Sequence, residues 1–176
     1  MDDPRYPIGQ FRYDGKATAQ LREQRVAEIA AAPGALRAAV TGLTAAQLDT
    51  AYREHGWTVR QVVHHLPDSH LNAYTRMKLA LTEADPVIKP YDEGRWAELP
   101  DVRVTPVETS LTLLECLHRR WVLLLRELGP SDFERRFRHP EHDRSIGLDE
   151  ALALYAWHGR HHVAQITSLR NRMGWV

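Results

Sequence analysis

Two helix-start signals, each followed by several turns of apolar side chains at helical spacing, constrain this chain more than any other feature. In Thr58-Val59-Arg60-Gln61 the threonine hydroxyl and the glutamine side chain can each satisfy an end amide, the reciprocal pattern of a capping box. Thr105-Pro106-Val107-Glu108 repeats the pattern with a proline at the first helical position, after which Leu111, Leu114, Leu117, Trp121 and Leu125 recur on one face. The first signal predicts a helix to about residue 83, bent at Pro67, where a backbone N–H is missing. The second predicts a helix ending near Gly129-Pro130.

Two more long helices follow from periodicity. Leu21, Val26, Ile29, Leu36 and Val40 form an apolar stripe over residues 18–40, interrupted at Pro33-Gly34, which predicts one kinked helix or two consecutive ones. The last helix is expected from about Leu148 to Met173, with Gly174 as its terminator. Thr44-Ala45-Ala46-Gln47 caps a short turn, and residues 131–137 suit one capped turn. Residues 139–143 read as irregular, and strand patterns are scarce. Residues 84–100 are too long for a simple helix hairpin, and Tyr91 and Trp96 favour an ordered loop lying on the body.

The expected fold class is therefore all-α: a four-helix bundle with one long crossover loop. Its 176 residues suit a single domain, residues 1–176, with an N-terminal extension over about 1–16. A chain of this size buries roughly 70% of its unfolded surface, and 43% hydrophobic residues fill such a core without a metal staple. Any metal should then serve function.

Lys and Arg number 23 and Asp and Glu 23, which gives no general attraction to phosphate backbones or anionic membranes, so no nucleic-acid or membrane partner is expected. Cys116 is the single cysteine, excluding an internal disulfide, a Cys-rich zinc site and a CxxC pair. No apolar stretch approaches the ~18 residues of a membrane span, and Met1-Asp2-Asp3-Pro4-Arg5 lacks the basic-then-apolar order of a signal peptide. A cytoplasmic protein is the expectation.

The compositional outlier is histidine, with ten copies, mostly clustered. In Trp157-His158-Gly159-Arg160-His161-His162, at about 100° per residue, His158 and His162 differ by about 40° and sit one turn apart. Both face the stripe of Leu148, Tyr155, Ile166, Leu169 and Met173, whereas His161 points toward its border. Two inward imidazoles without a charged partner in sequence favour a shared metal ion over a hydrogen-bonded pair. A further ligand must come from another helix. There, periodicity leaves His65 and His70 as candidates, with His64 third, because Pro67 upsets the phase. Three imidazoles and no thiolate leave a divalent cation an open position; Zn²⁺ is the default, and Ni²⁺, Fe²⁺ and Cu²⁺ also suit imidazole. His55, His118, His139 and His142, taken singly, read as surface residues or as neighbours of a site.

Five segments now carry a family likeness: Tyr6-Pro7-Ile8-Gly9, the run from Gly56-Trp57-Thr58 through His64-His65-Leu66, Lys89-Pro90-Tyr91-Asp92-Glu93, Trp157 through His162, and Arg172-Met173-Gly174-Trp175. Together they resemble the DinB superfamily, and within it the YfiT-like group of metal-dependent hydrolases, over almost the whole chain. The resemblance implies a four-helix bundle in which one histidine of the second long helix joins a His-x3-His pair of the last. By the family's His-Leu pattern the ligands are His65, His158 and His162.

The resemblance implies a hydrolase that activates water at this site. One alternative is a thiol S-transferase of the bacillithiol type, which would hold a low-molecular-weight thiol as thiolate and act on small electrophiles; another is a non-catalytic bundle that binds metal or a partner. The substrate is expected to be a small molecule. Asp92 and Glu93 are conceivable proton acceptors but read better as a solvated acidic turn, so no catalytic acid or base is assigned. The resemblance also implies a homodimer, and Tyr6, Ile8, Phe11 and Tyr13, ahead of the first helix, carry apolar surface that needs cover on the same bundle or across a two-fold interface.

Overall fold

The computed structural model describes residues 3–141 and 144–175. Among the described residues seven α-helices form: α1 (Ala19–Val40), α2 (Ala45–Leu48), α3 (Val59–Thr82), α4 (Glu93–Trp96), α5 (Pro100–Val104), α6 (Val107–Glu127) and α7 (Leu148–Met173). The four long ones make the bundle. Helix α1 packs against α6 and α7, and α3 packs against the same two, so α1 and α3 stand on one diagonal and α6 and α7 on the other.

Local chemistry explains the ends. The Thr18 hydroxyl accepts from Leu21 N–H and starts α1; Thr58 and Gln61 complete their capping box and start α3. Gly174, at φ 65°, takes the left-handed conformation that closes α7, and Trp175 N–H then donates to the Arg170 carbonyl at 3.0 Å. Both α1 and α3 run unbroken through their prolines. Gly159 permits a close approach of α7 to α1: a Cβ there would stand 3.0 Å from that of Ala32. Asp149 in the first turn of α7 receives a two-pronged ion pair from Arg22 of α1, at 2.8 and 2.7 Å.

Two expectations need correction. The Thr105 signal does not cap α6: Thr105 ends α5, donating its N–H to Asp101, and Pro106 occupies the N-cap of α6 with no side-chain hydrogen bond. The stretch expected as a turn and an irregular segment contains, after a short 3₁₀ turn at Asp132–Glu134, an antiparallel hairpin of β1 (Arg136–His139) and β2 (Arg144–Gly147). Phe137 pairs with Ile146, and both are buried in the core. The crossover loop is pinned to this hairpin, since Arg138 N–H donates to Pro86 and Ile88 N–H donates to Arg138.

The apolar core forms two layers along the bundle. One gathers Ile29, Met77, Trp121 and Leu152; the other gathers Leu36, Val62, Leu114 and Ile166. Between them, on α3, α6 and α7, lie His65, His70, His118, His158 and His162.

Candidate metal centre

Three imidazoles converge beside a cavity. His158 and His162, one turn apart on α7, bring their Nε2 atoms to 3.2 Å, and His65 of α3 brings its Nε2 to 3.4 Å from that of His158. The three ring nitrogens lie within 4.8 Å of one another. Ligands about 2.0–2.1 Å from a zinc ion in a tetrahedron stand about 3.3 Å apart, so two of the three edges already have the required length. Nitrogens facing one another at this range carry lone pairs or N–H groups that cannot all be satisfied by each other, whereas a cation satisfies every lone pair. The donor set fits a divalent metal ion.

Burial sets the protonation state of these imidazoles. Desolvation pushes the His65 imidazole down to a pKa of about 4. It holds His158 and His162 well below the ordinary imidazole value, with the neighbouring imidazoles adding to the effect. All three are thus neutral near pH 7, the form that binds metal. The Trp57 ring packs on His65 with centroids 4.6 Å apart.

The other candidates take different places. His70, wholly buried, sends Nε2 to His158 Nδ1 at 3.0 Å and Nδ1 to His118 Nε2 at 2.8 Å. His118, expected at the surface or beside a site, is buried, and its Nδ1 meets the Ile29 carbonyl at 2.7 Å. His64 turns away to Ser110 at 2.7 Å. His161 is buried under Tyr6 and Trp157 and contacts the Gln165 amide nitrogen at 3.0 Å. The same nitrogen meets the Arg5 carbonyl at 3.1 Å, while Gln165 Oε1 meets His162 Nδ1 at 2.9 Å. His55 is exposed, His139 lines the cavity, and His142 lies outside the described residues.

Sequence reasoning missed the tasks of His70, His118 and Gln165. The i, i+3 spacing of His162 and Gln165 was a usable signal. The partners of His70 come from two other helices and had none.

The cavity measures about 630 Å³ and takes in all three imidazoles. Trp57, Ser69, Arg76 and Tyr91 share its wall, and exposed His55 and Glu141 among its lining residues carry it to the surface. Burial pushes the Tyr91 hydroxyl up to about 12, so it stays protonated and can donate. Asp92 is engaged as the N-cap of α4, accepting from Arg95 N–H at 2.9 Å, while Glu93 lines the cavity.

The profile of the DinB superfamily matches residues 28–166. This chain belongs to the DinB superfamily. Among similar proteins, one from Oceanobacillus iheyensis named "Putative metal-dependent hydrolase" is 54% identical over 171 residues, covering 97% of this chain and 98% of its own. A second of that description, from Bacillus mycoides, is 55% identical over 175 residues, covering 99% and 100%. YfiT from Bacillus subtilis, described as "a probable metal-dependent hydrolase with an unusual four-helix bundle topology", matches with a TM-score of 0.96 at 47% identity, over 98% of this chain and 99% of that one. The DinB match spans all five histidines of the middle layer and leaves Arg5 outside.

Proposed function

We propose that this DinB chain is a metal-dependent hydrolase whose His65, His158 and His162 hold one divalent ion, Zn²⁺ first and Ni²⁺ as the alternative metal. The observation that carries the reading is the convergence of three neutral Nε2 atoms on the wall of a 630 Å³ cavity that reaches the surface. Three protein ligands leave an open position, the pattern of catalytic rather than structural zinc. Such an ion supplies Lewis acidity, acidifying water to a pKa near ~7 and polarising a carbonyl or phosphoryl oxygen.

The residues around it do the rest. Trp57 shields His65 from solvent on one side, and Tyr91 offers a hydroxyl donor to an oxygen of a small-molecule substrate. Arg76 adds a positive charge at the same wall. The relatives named above support the hydrolase assignment.

The reading treats residues 1–176 as one cytoplasmic domain. Among the described residues no helix is long and apolar enough to cross a membrane. A homodimer belongs to it as well, although the N-terminal segment does not require one: Tyr6 packs on His161 and Phe11 on Trp157 of the same chain, each at 5.9 Å.

Metal analysis of protein purified without chelators or affinity nickel should find one ion per chain, and His162→Ala should lose it. Full occupancy in that variant would overturn the ligand assignment. Assays of the loaded protein on esters, amides and phosphoesters, beside an electrophile with and without bacillithiol, should show turnover without thiol. Turnover only with the thiol would replace hydrolysis by S-transfer.

A further inference from the structure

Two chains of hydrogen bonds lead away from the candidate ligands, and each ends on a backbone carbonyl. A carbonyl oxygen can only accept, so it dictates the direction of every bond behind it.

The longer chain begins at Ile29. Its carbonyl, in α1, lies 2.7 Å from His118 Nδ1, so Nδ1 of His118 carries the hydrogen. His118 is almost wholly buried, its pKa is lowered by desolvation, and among the described residues it makes no ion pair, which leaves it neutral and its Nε2 a bare lone pair. His70 Nδ1, 2.8 Å away, must therefore donate. His70 is wholly buried and neutral for the same reason, so its Nε2 accepts, and His158 Nδ1 at 3.0 Å donates. The Nε2 lone pair of His158 is then left facing His65 and His162.

The shorter chain begins at Arg5. Its carbonyl lies 3.1 Å from one end of the Gln165 amide, which must be the nitrogen. The other end is then the oxygen, and it accepts from His162 Nδ1 at 2.9 Å. His162 too is left with its Nε2 lone pair directed at the same point. An amide does here for His162 what two imidazoles do for His158.

We propose that His118, His70 and Gln165 are positioning residues that fix His158 and His162 as their Nδ1–H tautomers, so that both Nε2 lone pairs are set for the ion before it arrives. This deepens the metal-site reading above and rests on it. The cause is local to the sequence: Pro33 has no N–H to give Ile29, one turn earlier in α1, so that carbonyl remains available to His118. Without this order the imidazoles could carry hydrogen on Nε2, and each binding event would first have to move a proton. Partners of this kind typically change metal affinity 10–100-fold when removed.

The test uses full-length protein with ¹⁵N-labelled histidine, stripped of metal at pH 7. Long-range ¹H–¹⁵N spectra should show His158 and His162 protonated on Nδ1. In His118→Phe the hydrogen of His158 should shift toward Nε2, His162 should keep its tautomer, and zinc affinity measured by chelator competition should fall about 10–100-fold. His118→Gln, whose amide can donate to Ile29 and accept from His70, should restore both readouts. A merely structural role for His118 would leave the tautomer of His158 alone, so a folded His118→Phe with an unchanged His158 spectrum overturns the proposal. If His118→Phe fails to fold, the stripped wild type still decides, because hydrogen on Nε2 of His158 or His162 overturns it outright. Failure of the metal-site reading looks different: the wild type would then bind no stoichiometric ion even with both tautomers as expected, and the positioning role toward a metal would fall with it.

Discussion

Pro33 and Ile29 stand one turn apart in α1, and the hydrogen bond that a residue at position 33 would normally give the Ile29 carbonyl is made instead by His118 of α6, at 2.7 Å. A missing backbone donor in one helix thus anchors a polar chain that crosses the bundle. The chain reaches α7 through α3, so all four long helices contribute to the orientation of one imidazole.

That arrangement predicts opposite signs for two measurements on Pro33→Ala. Removing proline from a helix interior relieves a cost of up to ~3 kcal/mol, so thermal stability should hold or rise. The new N–H would compete with His118 for the Ile29 carbonyl, so zinc affinity by chelator competition should fall several-fold. A variant more stable and equally tight would show that the carbonyl serves both donors without loss.

Stripping the ion should lower thermal stability without melting the helices. The two apolar layers flank the histidine layer and do not depend on it. Binding at a hundred times Kd is worth about 2.7 kcal/mol. For a chain of this size that is roughly 5–10 °C in Tm. Helical circular dichroism at room temperature should stay unchanged, and its collapse on metal removal would make the ion structural.

Much of this was legible in the sequence, and the failures have physical causes. Thr58 and Gln61 announced α3, and the i, i+4 spacing of His158 and His162 announced a shared direction, because both signals are local to one helix. Periodicity could not separate His65 from His70, since α3 is packed on two sides: His65 meets α7, while His70 meets α6 and α7. The hairpin escaped notice because its strands are four residues long and rich in Arg and His. The Thr105 box failed because α5 claims that threonine as its own end.

Acid should unfold the metal-free protein over a defined window. Burial lowers His65, His118 and His161 from 6.5 to about 4, so between these values the unfolded chain binds more protons than the folded one. Stability then rises with pH: it is complete above about 6.5 and lost as pH falls toward 4. For His118 the loss is about 3 kcal/mol. Asp68, whose carboxyl burial pushes up to about 6, binds its proton preferentially when folded and works in the opposite sense over part of that range. Three imidazoles against one carboxyl leave a net loss. Tm of the stripped protein should therefore drop between pH 6.5 and 4, more gently in His118→Gln, and a flat profile would contradict the burial of these rings as neutral groups.

Truncation before Lys16 tests the N-terminal segment. It removes the Arg5 carbonyl that orients Gln165 and the Tyr6 and Phe11 rings that cover His161 and Trp157. None of the lost residues belongs to a long helix, so helical content should persist. With its anchor gone the Gln165 amide is able to turn and present nitrogen to His162, which would then be pressed toward the wrong tautomer. Zinc affinity should fall about tenfold, within the range seen when such partners are lost. Light scattering on both chains reads the oligomeric state at the same time. A truncated protein that binds zinc as tightly as the full chain would show that Gln165 holds its orientation without Arg5, while a truncated protein that dissociates from dimer to monomer would show that the segment also braces the subunit contact.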